Sequence, residues 1–74
     1  MTEEQFSLSV RAFARRKPFR HFIIEFVNGQ QLRIRHPEGV GPFSGVWLFH
    51  AREGDRVLFA STAVCRVLDV PAGE

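Results

Sequence analysis

The sequence predicts a mostly β domain with one N-terminal helix, in which five short, strongly bent antiparallel strands form a small barrel. Three observations predict it. An apolar stripe at helical spacing runs through residues 3–16 and stops before Pro18. The stretch His21 to His36 (HFIIEFVNGQQLRIRH) separates polar from apolar residues as a hairpin in one register alone. Beyond it, three short apolar runs are punctuated by Gly, Pro, Asp and Ser, the spacing of an all-β chain.

The helix is expected over about residues 3–16. Thr2-Glu3-Glu4-Gln5 has the T-x-x-Q form of a capping box, with acids in the first turn where the helix dipole favours them. Phe6, Val10, Phe13 and Ala14 fall on one stripe. Pro18 biases Lys17 away from helical angles and ends the helix.

The first two strands are expected at about 20–27 and 30–36. A two-residue Asn28-Gly29 turn would leave Phe22, Ile24 and Phe26 sharing a face with Arg33 and Arg35. A three-residue loop, Val27-Asn28-Gly29 with Gly29 left-handed as a bulge, pairs Phe26 with Gln30, Ile24 with Leu32 and Phe22 with Ile34. One face then carries Phe22, Ile24, Phe26, Leu32 and Ile34, and the other His21, Glu25, Gln31, Arg33 and Arg35. A one-residue slip would swap the faces, so the hydrophobic pattern selects the bulged hairpin.

Pro37 breaks the second strand, and the Gly and Pro residues of 37–45 predict a loop or an irregular, bulged path. A third strand is expected at 45–50, with apolar residues on both faces. Ala51 to Gly54 reads as a turn. A fourth strand at 55–60 sets Val57 and Phe59 on one face and Arg56 and Leu58 on the other. After a short Ser61-Thr62 connection comes a fifth strand at 63–70, then a frayed tail at Pro71–Glu74.

Seventy-four residues make a single domain, 1–74, near the lower limit for a chain that buries its own core. With 45% hydrophobic residues and eight Phe the chain is globular rather than disordered. One Cys leaves no disulfide to staple it and no Cys-rich metal framework. Small barrels without staples gain burial by oligomerising, so self-association is expected. No apolar run has the length of a membrane span or a signal peptide's core, and the N-terminus is acidic; the chain reads as cytoplasmic, with no membrane partner.

The net charge is only +2, yet Arg11, Arg15, Arg16, Lys17 and Arg20 share one decade that contains no acid. Cations at a helix C-terminus are favourable without any ligand. The same cluster is also the electrostatic footprint of a nucleic-acid or acidic partner. Catalytic and metal chemistry find little support. His21, His36 and His50 lack the close spacing of a zinc site. Cys65 reads as a packed, inert mid-strand thiol, and Trp47 as core or interface. Glu53, Asp55 and Asp69 suggest turn and surface solvation rather than a carboxylate pair. Gly39-Val40-Gly41-Pro42 precedes a strand, not the helix that a phosphate cradle requires. No enzyme, cofactor, metal or small-molecule substrate is expected.

In order and motif, these elements resemble the SH3-like and Sm-like small barrels, and most nearly the Hfq group of bacterial RNA chaperones. The matching residues are Phe6, Arg15-Arg16-Lys17, Pro18, Ile24, Phe26-Val27-Asn28-Gly29 and Leu32. Further matches are Val46-Trp47-Leu48-Phe49-His50, Val57-Leu58-Phe59, Ala63-Val64 and Val67. Pro18-Phe19-Arg20 and His36-Pro37-Glu38 also resemble a group of short uncharacterised bacterial proteins. The first resemblance implies a homo-oligomeric, ring-forming module that binds single-stranded RNA. Several of that family's RNA contacts are replaced: Ala60-Ser61 stands for its Lys-His pair, Glu25 for its stacking Tyr, and Gln31 for the Lys after the turn. What carries over is the basic rim, Arg11, Arg15, Arg16 and Lys17, to which Arg33 and Arg35 add two cations on the hairpin's polar face. Such a rim alone implies salt-sensitive binding with little sequence preference. The alternative is a small protein-interaction barrel with no nucleic-acid role, using an exposed sheet edge or the Trp47/Phe43 region.

Overall fold

The first turn of the chain forms the reciprocal capping box that its residues predict. In this computed structural model, which describes residues 1–50 and 54–70, the Gln5 backbone N–H donates to Thr2 Oγ1 at 3.1 Å and the Thr2 N–H to Gln5 Oε1 at 3.3 Å. The turn read at Ala51–Gly54 (save Gly54) and the tail read at Pro71–Glu74 lie outside the described residues.

Helix α1 spans Glu3–Ala14, ending two residues short of expectation. Arg15 takes the C-cap, and the Arg16 N–H reaches back to the Phe13 carbonyl at 3.4 Å, a tightened last turn. The Arg16 side chain is then drawn off the helix to the carbonyls of Arg20 and His21. Phe6 and Val10 are buried. Phe6 meets Trp47 and Phe59 edge-on, with ring centroids 4.8 and 5.8 Å away, and Phe13 stacks on Phe22 at 5.3 Å.

Strands β1 (Phe22–Phe26) and β2 (Gln31–Ile34) form the bulged hairpin in the expected register. Phe22 pairs with Ile34 and Ile24 with Leu32, and the Phe26 N–H donates to the Gln30 carbonyl at 2.8 Å. Gly29 has φ +88° and donates to the Phe26 carbonyl at 2.9 Å. Phe22, Ile24 and Ile34 are fully buried, while Glu25, Gln31 and Arg33 lie on the opposite face.

The segment expected to be a loop holds a sixth strand, and this corrects the five-strand expectation. β3 (Val40–Phe43) pairs with β4 (Val46–His50) across the two-residue turn Ser44-Gly45, in which both residues are left-handed (φ 48° and 82°). Pro42 is tolerated because β3 lies at a sheet edge. Phe43 and Val46 flank the turn as the bonded pair, so the next position, Pro42 opposite Trp47, turns its nitrogen to the open side. β5 (Arg56–Phe59) follows, with Phe59 inward and Leu58 outward as its alternation predicts. One 3-10 turn, Ser61–Ala63, leads into β6 (Val64–Asp69).

The strands form two three-stranded antiparallel sheets, ordered β2-β1-β6 and β3-β4-β5. The fold is mostly β with one helix, and no ladder among the described residues closes the two sheets into one barrel. The chain passes from sheet to sheet at Gly39, whose N–H donates to the His36 carbonyl and whose carbonyl accepts from the His50 N–H at 2.9 Å. A Cβ at Gly39 would stand 3.1 Å from Ile34 Cγ2 and 3.2 Å from the His36 carbonyl oxygen, so a side chain at the crossing would press its neighbours aside by a few tenths of an ångström. The core lies between the sheets and α1, built from Phe6, Val10, Phe22, Ile24, Ile34, Val40, Trp47, Phe59 and Val64. No helix among the described residues is long and apolar enough to cross a membrane.

Candidate functional site

Register decides where the two basic groups of the sequence meet. Phe22 pairs with Ile34 on one side and with Asp69 on the other. Arg35, which follows Ile34, the residues Arg20 and His21 that precede Phe22, and Asp69 therefore share one end of sheet β2-β1-β6. The last turn of α1 arrives at the same end: Arg16 Nη1 donates to Asp69 Oδ1 at 2.9 Å. Arg20 Nη2 donates to the other carboxylate oxygen, also at 2.9 Å.

The six candidate contacts divide accordingly. Arg11, Arg15, Lys17 and Arg35 are exposed. Arg16 is not a free cation: besides Asp69 it donates to the carbonyls of Arg20 (3.1 Å) and His21 (3.3 Å), and its guanidinium lies over the Phe13 ring at 4.7 Å. Arg33 is half-buried beside Ile23, its neighbour across the hairpin, and its Nε is buried without a partner. The Nε of Arg16 is likewise unpartnered.

Two residues of this cluster, Arg20 and Asp69, escaped the sequence reading as a pair. Asp69 is more than the solvated surface acid expected of it. Its hydrogen bond with Arg16 holds its carboxyl below the ordinary aspartate value against desolvation, the next-largest effect; the charges of Arg16 and Arg20 and the Val70 N–H act in the same direction as the hydrogen bond. The only signal in the sequence is non-local, since Arg20 and Asp69 stand 49 positions apart.

Glu25 is similarly engaged. Arg66 Nε donates to its Oε1 at 2.7 Å and Gln31 Nε2 to its Oε2 at 3.0 Å, a polar row across β2, β1 and β6 on the outer face of the sheet. The hydrogen bond from Arg66, then that from Gln31, lowers the Glu25 pKa from its ordinary value. The Glu25 charge is thus held ionised and paired with Arg66.

Cys65 is exposed rather than packed. Glu25 faces Arg66 and Phe26 faces Val64, so Cys65 is the extra residue of a β-bulge, and the strand's inward-outward alternation breaks there. Trp47 belongs to the core, as expected, and its Nε1–H donates to both carboxylate oxygens of Glu3 at 2.9 and 3.0 Å. The protein-interaction reading loses Trp47 as a contact and keeps Phe43, which is exposed. Ser61 is buried in the 3-10 turn. His36 and His50 are exposed and His21 is half-buried.

The outer face of sheet β3-β4-β5 carries Phe43, Val46, Leu48 and Leu58, with Gly41 beside Leu48. Leu58 and Phe43 are each more than half exposed. Comparison with models of known protein families, with curated proteins and with solved structures finds no match to this chain.

Proposed function

We propose that this protein is a non-enzymatic, Sm-like RNA-binding module that works as a homo-oligomer. The observation that carries the reading is that Arg16, flanked by the exposed Arg15 and Lys17, is bonded to Asp69 at the end of sheet β2-β1-β6 where the exposed Arg35 follows β2, with Arg11 exposed one turn back on the helix. Exposed arginines and lysines along one rim suit the phosphates of a single strand, which they bind without regard to sequence. Arg33, with its unpartnered Nε, is the sixth contact of the expected set in the row next to this rim; Arg16 supports the rim through its backbone contacts.

The barrel is the finer part of the proposal. The path β6-β1-β2, bent through Gly39 into β3-β4-β5, is read as the six-strand version of a strongly bent barrel, with no ladder among the described residues between β2 and β3 and left open between β5 and β6. Those two edges have unpaired backbone groups, and β5 exposes Leu58 and Val57. Open edges with apolar side chains favour pairing with another copy.

The test is a titration of single-stranded RNA against the native protein across a salt series, with the native mass measured by light scattering. The expected results are an oligomer and an affinity that falls steeply with salt. Arg15→Ala combined with Lys17→Ala is expected to flatten the slope of log K against log salt by about 1.4, two contacts at ~0.7 each. An unchanged slope in that double variant would sink the site assignment. A second reading, a protein-interaction module, is favoured by the exposed Phe43 and Leu58 on the outer face of sheet β3-β4-β5. It predicts a monomer or dimer with no salt-dependent RNA affinity.

A further inference from the structure

We infer that Arg16 and Arg20 form a phosphate-binding fork that Asp69 fills in the free protein, so that Asp69 sets how tightly the rim holds a nucleic-acid backbone. The inference rests on the RNA-binding reading and names the residue that regulates that site.

The geometry is that of an anion site already occupied. Two guanidinium groups from different segments each donate to a different oxygen of one carboxylate, both at 2.9 Å. Guanidinium groups bind carboxylate and phosphate by the same charge-assisted hydrogen bonds, so a phosphodiester oxygen satisfies this fork as the carboxylate does. The Arg16 prong of the fork outlasts the departure of its occupant. Arg16 is held independently by the carbonyls of Arg20 and His21 and by the Phe13 ring, and its side chain is only 22% exposed. Arg20 and Asp69 are 56% and 44% exposed, so water and a ligand reach the occupant. Ion pairs at such exposure are weak and screened by salt, so removing the carboxylate's charge frees the fork at little cost in stability, whereas with Asp69 in place a phosphate chain drawn to Arg15 and Lys17 engages the fork only in part.

The balance of charge follows from this occupancy. With Asp69 in place the fork offers one net positive charge rather than two. A strand that displaces it gains two contacts at the cost of one exposed carboxylate turned to water. Arg20 is thereby a contact that appears only when Asp69 is displaced or neutral.

The experiment compares the full chain with its Asp69→Asn variant, using a fluorescein-labelled single-stranded oligouridylate from about 50 to 200 mM salt. Asn keeps the side chain's shape and removes its charge. The variant is expected to bind about tenfold tighter at the lowest salt, with a slope steeper by about 1.4, for two added phosphate contacts. Arg20→Ala in the wild-type background is expected to leave affinity within about twofold, whereas in the Asp69→Asn background it removes about half of the added slope. A wild-type slope in Asp69→Asn overturns the inference. So does an Arg20→Ala variant that weakens the wild type as much as Arg15→Ala does, and this arm stands even if Asp69→Asn fails to fold.

A second readout needs no RNA. Thermal stabilisation by sodium tripolyphosphate is expected to be larger for Asp69→Asn than for the wild type, and equal stabilisation overturns the fork. RNA titrations flat for both proteins, with tripolyphosphate separating them, support the fork and remove the RNA reading. Salt-dependent RNA binding that is identical in both proteins removes the fork and leaves that reading standing.

Discussion

Replacing Gly29 by alanine isolates the backbone cost of the hairpin that organises this fold. Gly29 has φ +88°, and no atom lies within 4 Å of the position a Cβ would take. Packing therefore contributes nothing to the substitution, and the cost is conformational alone. An L-residue held in the left-handed region costs about 1–2 kcal/mol. Part of that is returned because alanine restricts the unfolded chain by about 0.4–1 kcal/mol. The expected net loss is about 1 kcal/mol, which lowers Tm by about 4–8 °C in a domain of this size. Gly29→Asn is expected to lose roughly half as much, since Asn tolerates the left-handed region. The assay is thermal unfolding followed by circular dichroism, with urea unfolding to check that the m-value is unchanged. A Gly29→Ala protein melting with the wild type would mean that the loop is not the three-residue bulged turn, and the register argument would fail with it.

Gly39→Ala acts through the opposite cause, a clash at ordinary φ: the new Cβ meets Ile34 Cγ2 at 3.1 Å and the His36 carbonyl at 3.2 Å. A loss of about 1–3 kcal/mol is expected in urea unfolding; wild-type stability would show that the crossing between sheets opens freely. Acid is expected to destabilise the fold. Asp69 and Glu25 have folded pKa values below those of ordinary aspartate and glutamate, so their contribution is complete above the ordinary values and is lost as pH falls through the lowered ones. Melting temperature measured from pH 6 to pH 2 is expected to fall less in the Asp69→Asn, Glu25→Gln double variant than in the wild type; parallel curves would remove both ion pairs from the account. The native protein is expected to react stoichiometrically with a maleimide at Cys65 without denaturant, because the bulge exposes the thiol. Labelling that required unfolding would restore the packed-thiol reading.

The hairpin was legible because two signals agree: a period-two pattern with one wholly apolar face, and an Asn-Gly pair whose glycine takes the positive φ. The capping box was legible because all of its partners lie within four residues. β3 was not, since Gly41 and Pro42 read as breakers and the fact that excuses Pro42, its place at a sheet edge, is tertiary. Cys65 was misread because its mid-strand place among apolar neighbours suggested packing, and the bulge that exposes it is set by pairing with the distant β1. At the candidate site, Arg11, Arg15, Lys17 and Arg35 were visible as exposed charge. The fate of Arg16 was not, because it depends on which residue of β6 lies beside the start of β1. Glu3, read as a dipole-stabilising first-turn acid, also anchors the helix to Trp47, 44 positions away.

The central position of β1 has a kinetic consequence. On one side its partner is β2, reached through a three-residue loop; on the other it is β6, and the paired residues Glu25 and Arg66 stand 41 positions apart. Local closure precedes distant closure because loop entropy grows with the intervening length. Refolding is therefore expected to pass through a stage in which the hairpin exists and β6 has not docked. At that stage one edge of β1 has unpaired backbone groups, beside the apolar face of Phe22, Ile24 and Phe26, and is open to any neighbouring chain. Yield on refolding is expected to fall with protein concentration, and to fall further when the final pairing is slowed by a substitution in β6.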